Sequence, residues 1–153
     1  LEGKFGGKDG AVKAYAPVVE HAKAAGLTIN FEAMQRTPNT LNAHRLIHWA
    51  GIEGRQTAAV AALFQAYFVD ARDIGDAEIL ADIADGIEMD AAVVTRLLKT
   101  DEDSQIIRDR DAHSRKMGIS SVPTFIVANQ HAVPGAQPPE LWTKVIADLA
   151  GQA

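Results

Sequence analysis

Gly118-Ile119-Ser120-Ser121-Val122-Pro123-Thr124-Phe125-Ile126-Val127 is the stretch whose reading decides the fold. From Val122 it is a continuous apolar, β-branched and aromatic run, which predicts a strand. Pro123 has no N–H to give to a ladder, so it belongs at the first residue or the edge of that strand. The sequence is compatible with either isomer of the Val122–Pro123 bond, cis being found in only about 5% of X-Pro bonds in folded proteins. Asn129-Gln130 offers a turn and His131-Ala132-Val133 a second strand, so the segment reads as a hairpin. Gly135 ends it, and Pro138-Pro139-Glu140-Leu141-Trp142 opens a last helix, with Leu141, Val145, Ile146 and Leu149 facing one way.

Upstream of the hairpin the periodicity is helical. Thr100-Asp101-Glu102-Asp103 resembles a capping box, and Arg115-Lys116 lies in the last turn before Gly118, so both ends suit the helix dipole. Asp76 caps a helix carrying Ile79, Leu80, Ile83 and Ile87, and Asp90 caps another carrying Val93, Val94, Leu97 and Leu98. Val60, Leu63, Phe64, Tyr67 and Phe68 predict an amphipathic helix from about Glu53 to Asp70 whose aromatic stripe faces the core. Thr37-Pro38 reads as an N-cap with proline at the first helical position, ahead of Ala43, Leu46, Ile47 and Ala50 and a stop at Gly51. Leu27 to Phe31 alternates as a short extended segment. Before it, Asp9 caps a helix with Val12, Tyr15, Ala16, Val19 and Ala22 that stops at Gly26, and Pro17 is expected to kink or restart it. Leu1 to Phe5 reads as the last turn of something that precedes the break at Gly6-Gly7.

Composition narrows the function. At 153 residues, 47% apolar and 23% charged, the chain can bury the core of one domain. Its net charge of -5, with signs interleaved, argues against nucleic acid as a partner. No apolar window approaches a membrane span and no secretory signal pattern stands at the start, so the expectation is a soluble, cytoplasmic protein without a membrane partner. The cysteine count is zero, which excludes disulfides, thiolate nucleophiles and cysteine-metal ligation within these residues. His44 and His48 are spaced as zinc ligands on a helix can be, but no third ligand is evident, so no metal is expected.

The order helix, Gly, Val-Pro-Thr, strand, turn, strand, Gly, helix is the closing half of a thioredoxin fold. Four stretches extend the likeness: Tyr15-Ala16-Pro17-Val18-Val19, Arg36-Thr37-Pro38-Asn39-Thr40 with Ala43-His44-Arg45-Leu46, Val122-Pro123-Thr124-Phe125-Ile126-Val127, and Gly135-Ala136-Gln137-Pro138. On these the chain resembles the DsbA family, and within it the FrnE-like branch, related to hydroxychromene-carboxylate isomerases and kappa-class glutathione transferases. The resemblance implies an α/β, DsbA-type thioredoxin-like fold, mostly helical in these residues. Residues 1–8 would be the tail of a preceding helix, 9–117 a helical insertion and 118–153 the closing β-β-α. The family's opening β-α-β unit with its Cys-x-x-Cys is missing, and the expectation is that an N-terminal segment pairs beside the Thr124–Val127 strand, which would otherwise leave an edge open.

By the same resemblance, the Val122-Pro bond is cis and the loop Val122, Pro123, Thr124 offers its backbone to a bound peptide or glutathione. Gly135, Ala136 and Gln137 would border that site near an anion at a helix N-terminus, or form an ordinary strand-to-helix turn. Asn39, Thr40 and His44 would lie near the active site, or serve as helix caps and surface polar groups. The implied activity is a thiol-disulfide oxidoreductase with an upstream cysteine pair, acting on protein thiols and disulfides. A glutathione-dependent isomerase or transferase is the alternative within the superfamily, with glutathione as cosubstrate. A non-catalytic binding or scaffold module is the alternative outside it. No other cofactor is implied, and a homo-oligomer is left open.

Overall fold

The computed structural model describes residues 8–31, 33–34 and 36–151. The reading of residues 1–7 as a helix tail lies outside them. The described residues form seven α-helices, one π-helical turn and one hairpin. In order they are α1 (Lys8–Ala24), α2 (Leu41–Ile52), α3 (Gln56–Phe64), the π turn (Gln65–Val69), α4 (Ala77–Gly86), α5 (Ala91–Leu98), α6 (Ser104–Lys116), β1 (Thr124–Val127), β2 (His131–Pro134) and α7 (Pro139–Ala150). The chain divides into two compact units, Leu1–Arg108 and Asp109–Ala153, and the boundary falls within α6.

The first unit holds the core. Helix α2 packs on α3 and α4, and α4 packs on α3 and α5. Their buried faces supply Leu46, Trp49, Ala59, Leu63, Leu80, Ile83, Val94 and Leu98. The aspartate caps fall where the sequence puts them. Asp76 accepts from the Glu78 N–H at 2.8 Å, and Asp90 from the Ala92 and Val93 N–H groups at 2.9 and 3.0 Å. These bonds satisfy amides that have no partner inside the helix.

Four elements ahead of α4 depart from the sequence expectations. Helix α1 begins at Lys8 and runs through Pro17 without restarting. Leu27–Phe31 makes no strand: the Asn30 N–H donates to the Phe68 carbonyl at 2.8 Å, and Leu27 is exposed. Helix α2 starts at Leu41, three residues past the proline, because Asn39 Oδ1 takes the Leu41 N–H at 3.0 Å. The run expected as one helix from Glu53 to Asp70 is α3 followed by the π turn. Its buried positions are Ala59, Leu63 and Ala66, and Phe64 is 60% exposed. Small alanines let neighbouring helices approach, and of the aromatic stripe Tyr67 packs at the border of that core, edge-on to Phe68 at 4.9 Å between centroids.

The turn before α6 is held by a buried cation. Arg45, 2% exposed, donates to the carbonyls of Leu97, Thr100 and Glu102 at 2.8 to 2.9 Å and to Asn42 Oδ1 at 2.9 Å. Its guanidinium lies 4.9 Å from the centre of the Trp49 ring, whose indole N–H donates to Asp103 at 2.8 Å. Thr100 closes α5 and holds the turn ahead of α6: its hydroxyl donates to Leu97 O and accepts the Glu102 N–H at 3.2 Å, and α6 begins only at Ser104. Burial lowers the pKa of Arg45 from its ordinary value, while Asp101, Asp103 and Glu102 raise it.

In the second unit, α6 ends in a Schellman motif. Gly118 has φ of 85°, and the Ile119 and Gly118 N–H groups donate to Ser114 and Arg115. The hairpin follows in antiparallel register, Thr124 opposite Pro134 and Val127 opposite His131. Its turn places Ala128 and Asn129 at φ of 52° and 56°. Helix α7 opens with Pro139 at its first turn. Leu141, Trp142, Val145 and Leu149 are half-buried, while Ile146, expected on the same face, is 66% exposed.

Candidate functional site: the Val122–Gln137 edge

Six of the sequence-predicted site residues come together in the second unit because the hairpin folds back on itself. The Val122–Pro123 bond is cis. The Gly135 N–H donates to the Pro123 carbonyl at 2.8 Å, one step beyond the ladder that ends at Thr124 and Pro134. A left-handed φ of 80° at Gly135 turns the chain away after that bond, a conformation glycine adopts without penalty. Gln137 folds back, its amide Nε2 donating to Pro134 O at 2.7 Å, and Thr124 Oγ1 donates to Ser121 O at 2.8 Å. The loop is thus braced at both ends by bonds within the unit.

What the loop leaves on its surface is Val122, 90% exposed. Phe125 and Ile126 are also exposed, and Phe125 meets Trp142 edge-on at 4.8 Å. Among the described residues β1 pairs with β2 alone. The arrangement presents an extended backbone edge with apolar side chains beside it, the form that receives a second extended chain. At the start of α7 the anion reading meets an obstacle. Pro138 and Pro139 carry no N–H, so two leading positions lack the donors on which such a site depends, and Glu140 adds a negative charge to the first turn.

Asn39, Thr40 and His44 belong to the first unit. Asn39 is occupied in starting α2, Thr40 is its N-cap without a side-chain bond, and His44 is exposed on its first turn. Gly75 lies against this start: a Cβ there would come within 3.2 Å of the Asn39 carbonyl and 3.1 Å of Asp73. Asp73 in turn accepts from the Gly75 N–H at 2.9 Å and from Arg36. The Gly75 bond first, and then Arg36, hold the Asp73 carboxyl below its usual range. Sequence reasoning missed Arg36, Arg72 and Asp73, because nothing in their spacing links residue 36 to residue 73.

Among the described residues no group of histidines and carboxylates is arranged to hold a metal, and no helix is long and apolar enough to cross a membrane.

Comparison with known proteins adds the family. Residues 12–147 match the model for a DSBA-like thioredoxin domain. The uncharacterized protein YwbO of Bacillus subtilis (strain 168) is 30% identical over 128 residues, a span of 83% of this chain and 64% of that protein. Among solved structures, a probable DsbA oxidoreductase from Streptomyces coelicolor superimposes with a TM-score of 0.82 at 28% identity, covering 98% of this chain and 65% of that one. A candidate protein disulfide isomerase from Nitrosomonas europaea is similar in fold, with a TM-score of 0.74 at 19% identity over 92% of this chain and 75% of that one. The chain therefore spans just under two-thirds of the length of YwbO and of the Streptomyces protein.

Proposed function

We propose, from the premise that this chain belongs to the DSBA-like thioredoxin domain family, that it forms the substrate-binding part of a thiol-disulfide oxidoreductase. The observation that carries the reading is the exposed Val122 at the head of β1, braced from behind by the Gly135 to Pro123 bond. Substrate in extended form lies along Val122-Pro123-Thr124, with Gly135, Ala136 and Gln137 flanking it through backbone contacts. The 153 residues hold no cysteine, so the redox pair, a Cys-x-x-Cys, comes from sequence outside them. One thiolate of that pair attacks the substrate disulfide, forming a mixed disulfide and releasing one substrate thiol. The second cysteine then displaces the other substrate thiol, so two electrons and two protons pass to the substrate and the pair becomes oxidised.

The partners are protein thiols and disulfides, or glutathione, and the placement in the cytoplasm is part of the same proposal, which cell fractionation tests. The activity test uses the full-length protein in insulin reduction and glutathione titration. Insulin reduction that disappears when either cysteine of the pair is changed to serine is the expected result. Glutathione-dependent turnover from a single serine or cysteine at that position would replace it with an isomerase or transferase. Neither activity would leave a binding module.

A further inference from the structure

A second concave site lies in the first unit, built wholly from residues of that unit. Ala33, Met34 and Arg36, Tyr67, the segment from Ala71 to Asp73, and Asp76 with Ile79 line a half-open cleft of about 440 Å³. That is within the range of small-molecule pockets. The backbone around it is irregular, since the π turn ends at Val69 and Ala71 adopts a left-handed φ of 53°. Such segments re-aim side chains, and Tyr67 and Arg72 from either side of this one both line the cleft.

The chemistry of the lining is mixed in a specific way. Arg36 and Arg72 each spend only part of the guanidinium, on Asp73 and Asp82 respectively. Among the described residues Nη1 of Arg36, and Nε and Nη1 of Arg72, have no protein partner. One oxygen of Asp76 accepts the Glu78 N–H, and its other oxygen takes no such bond. Asp73 is engaged through both oxygens. Met34, Ala71 and Ile79 and the Tyr67 ring complete the lining with apolar surface. A doubly charged anion would meet repulsion from Asp73 and Asp76, whereas a single carboxylate suits a guanidinium fork.

We infer that this cleft binds a free α-amino acid with an apolar side chain. Its carboxylate is held by Arg36 and Arg72, its ammonium by Asp76, and its side chain by Met34, Ala71, Ile79 and Tyr67. The proposal is independent of the redox reading, because none of these residues belongs to the Val122–Gln137 edge.

The experiment titrates L-phenylalanine, N-acetyl-L-phenylalanine and L-phenylalaninamide into the ¹⁵N-labelled chain and follows the amides of Ala71, Arg72, Asp73 and Asp76. The free amino acid should shift these signals with saturation, and each blocked form should bind at least ten-fold more weakly. Arg72→Ala should weaken binding about ten-fold. Asp82→Asn, which releases Arg72 from its ion pair, should tighten it several-fold, a change that damage to the fold would not produce. Absence of saturable shifts in the cleft would overturn the proposal. So would equal binding of all three probes, or a Kd that Asp82→Asn leaves unchanged or weakens.

Discussion

Arg45 and Asp73 are charged residues whose surroundings give them opposite consequences. Arg45 is a buried cation whose donors close three carbonyls of the α5–α6 turn. Removing the guanidinium takes that donor from the Thr100 and Glu102 carbonyls, while Leu97 O keeps the Thr100 hydroxyl, a loss of about 3 kcal/mol for hydrogen bonds to a charged group. Arg45→Met should therefore lower the urea midpoint sharply. Arg45→Lys should recover only part, since one ammonium cannot span three acceptors. Asp73 works through pH. Its pKa is lowered in the folded chain, so its contribution is fully present above the ordinary aspartate value and is lost as pH falls through the lowered one. Asp73→Asn should remove that part of the acid dependence, visible as a flatter stability curve below about pH 4 in urea titrations. Neither residue could be recognised from the sequence. An arginine is ordinarily exposed, and the Arg36 to Asp73 contact joins residues far apart in the chain.

At the scale of elements, the helix ends show where local rules suffice. Glu88 occupies the left-handed position of a Schellman motif at the end of α4, with φ of 61° and the Met89 and Glu88 N–H groups donating to Ala84 and Asp85. A left-handed L-residue costs about 1 kcal/mol, while the exposed ion pair of Glu88 with Arg55 contributes little. Glu88→Gly should therefore raise the melting temperature by a few degrees in a calorimetric scan. The aspartate caps of α4 and α5 and the glycine that ends α6 were legible because each acts within one turn. The hairpin was legible for a similar reason: an apolar run, a turn and a second run leave few alternatives. The start of α2 was misread because Thr37-Pro38 imitates a helix start that Asn39 supplies. The π turn is not legible because it changes the helical period, so that one stripe from Val60 to Phe68 finds Leu63 and Tyr67 but takes Phe64 and passes over Ala59 and Ala66. Of the site, the Val122–Gln137 edge could be read, since the hairpin fixes it. The Arg36 and Arg72 cleft could not, since it depends on how segments distant in sequence pack.

For the whole molecule, burial is divided unequally between the two units. Every buried apolar residue among those described lies between Ala22 and Leu98, in the first unit. In the second, neither the hairpin nor α7 has a fully buried residue, and its aromatic pair is Phe125 with Trp142. A two-stranded hairpin is marginal by itself, and half-buried contacts with one helix add only a fraction of what a closed core supplies. Opening of the second unit should accordingly cost less than global unfolding. Native-state hydrogen exchange on the 153-residue chain gives the measurement. The amides of α2, α4 and α5 should exchange only through global unfolding, with a strong urea dependence. Those of β1, β2 and α7 should exchange through a smaller opening with a shallower slope. Binding of an extended peptide along Val122-Pro123-Thr124 would add backbone partners to β1, so a bound substrate mimic should slow exchange in the hairpin and leave α2 to α5 unchanged. Equal protection across both units before the peptide is added would contradict this division. It would mean that the second unit is as stable as the first, and the Val122-Pro123-Thr124 loop would then be a rigid surface instead of one that orders as substrate arrives.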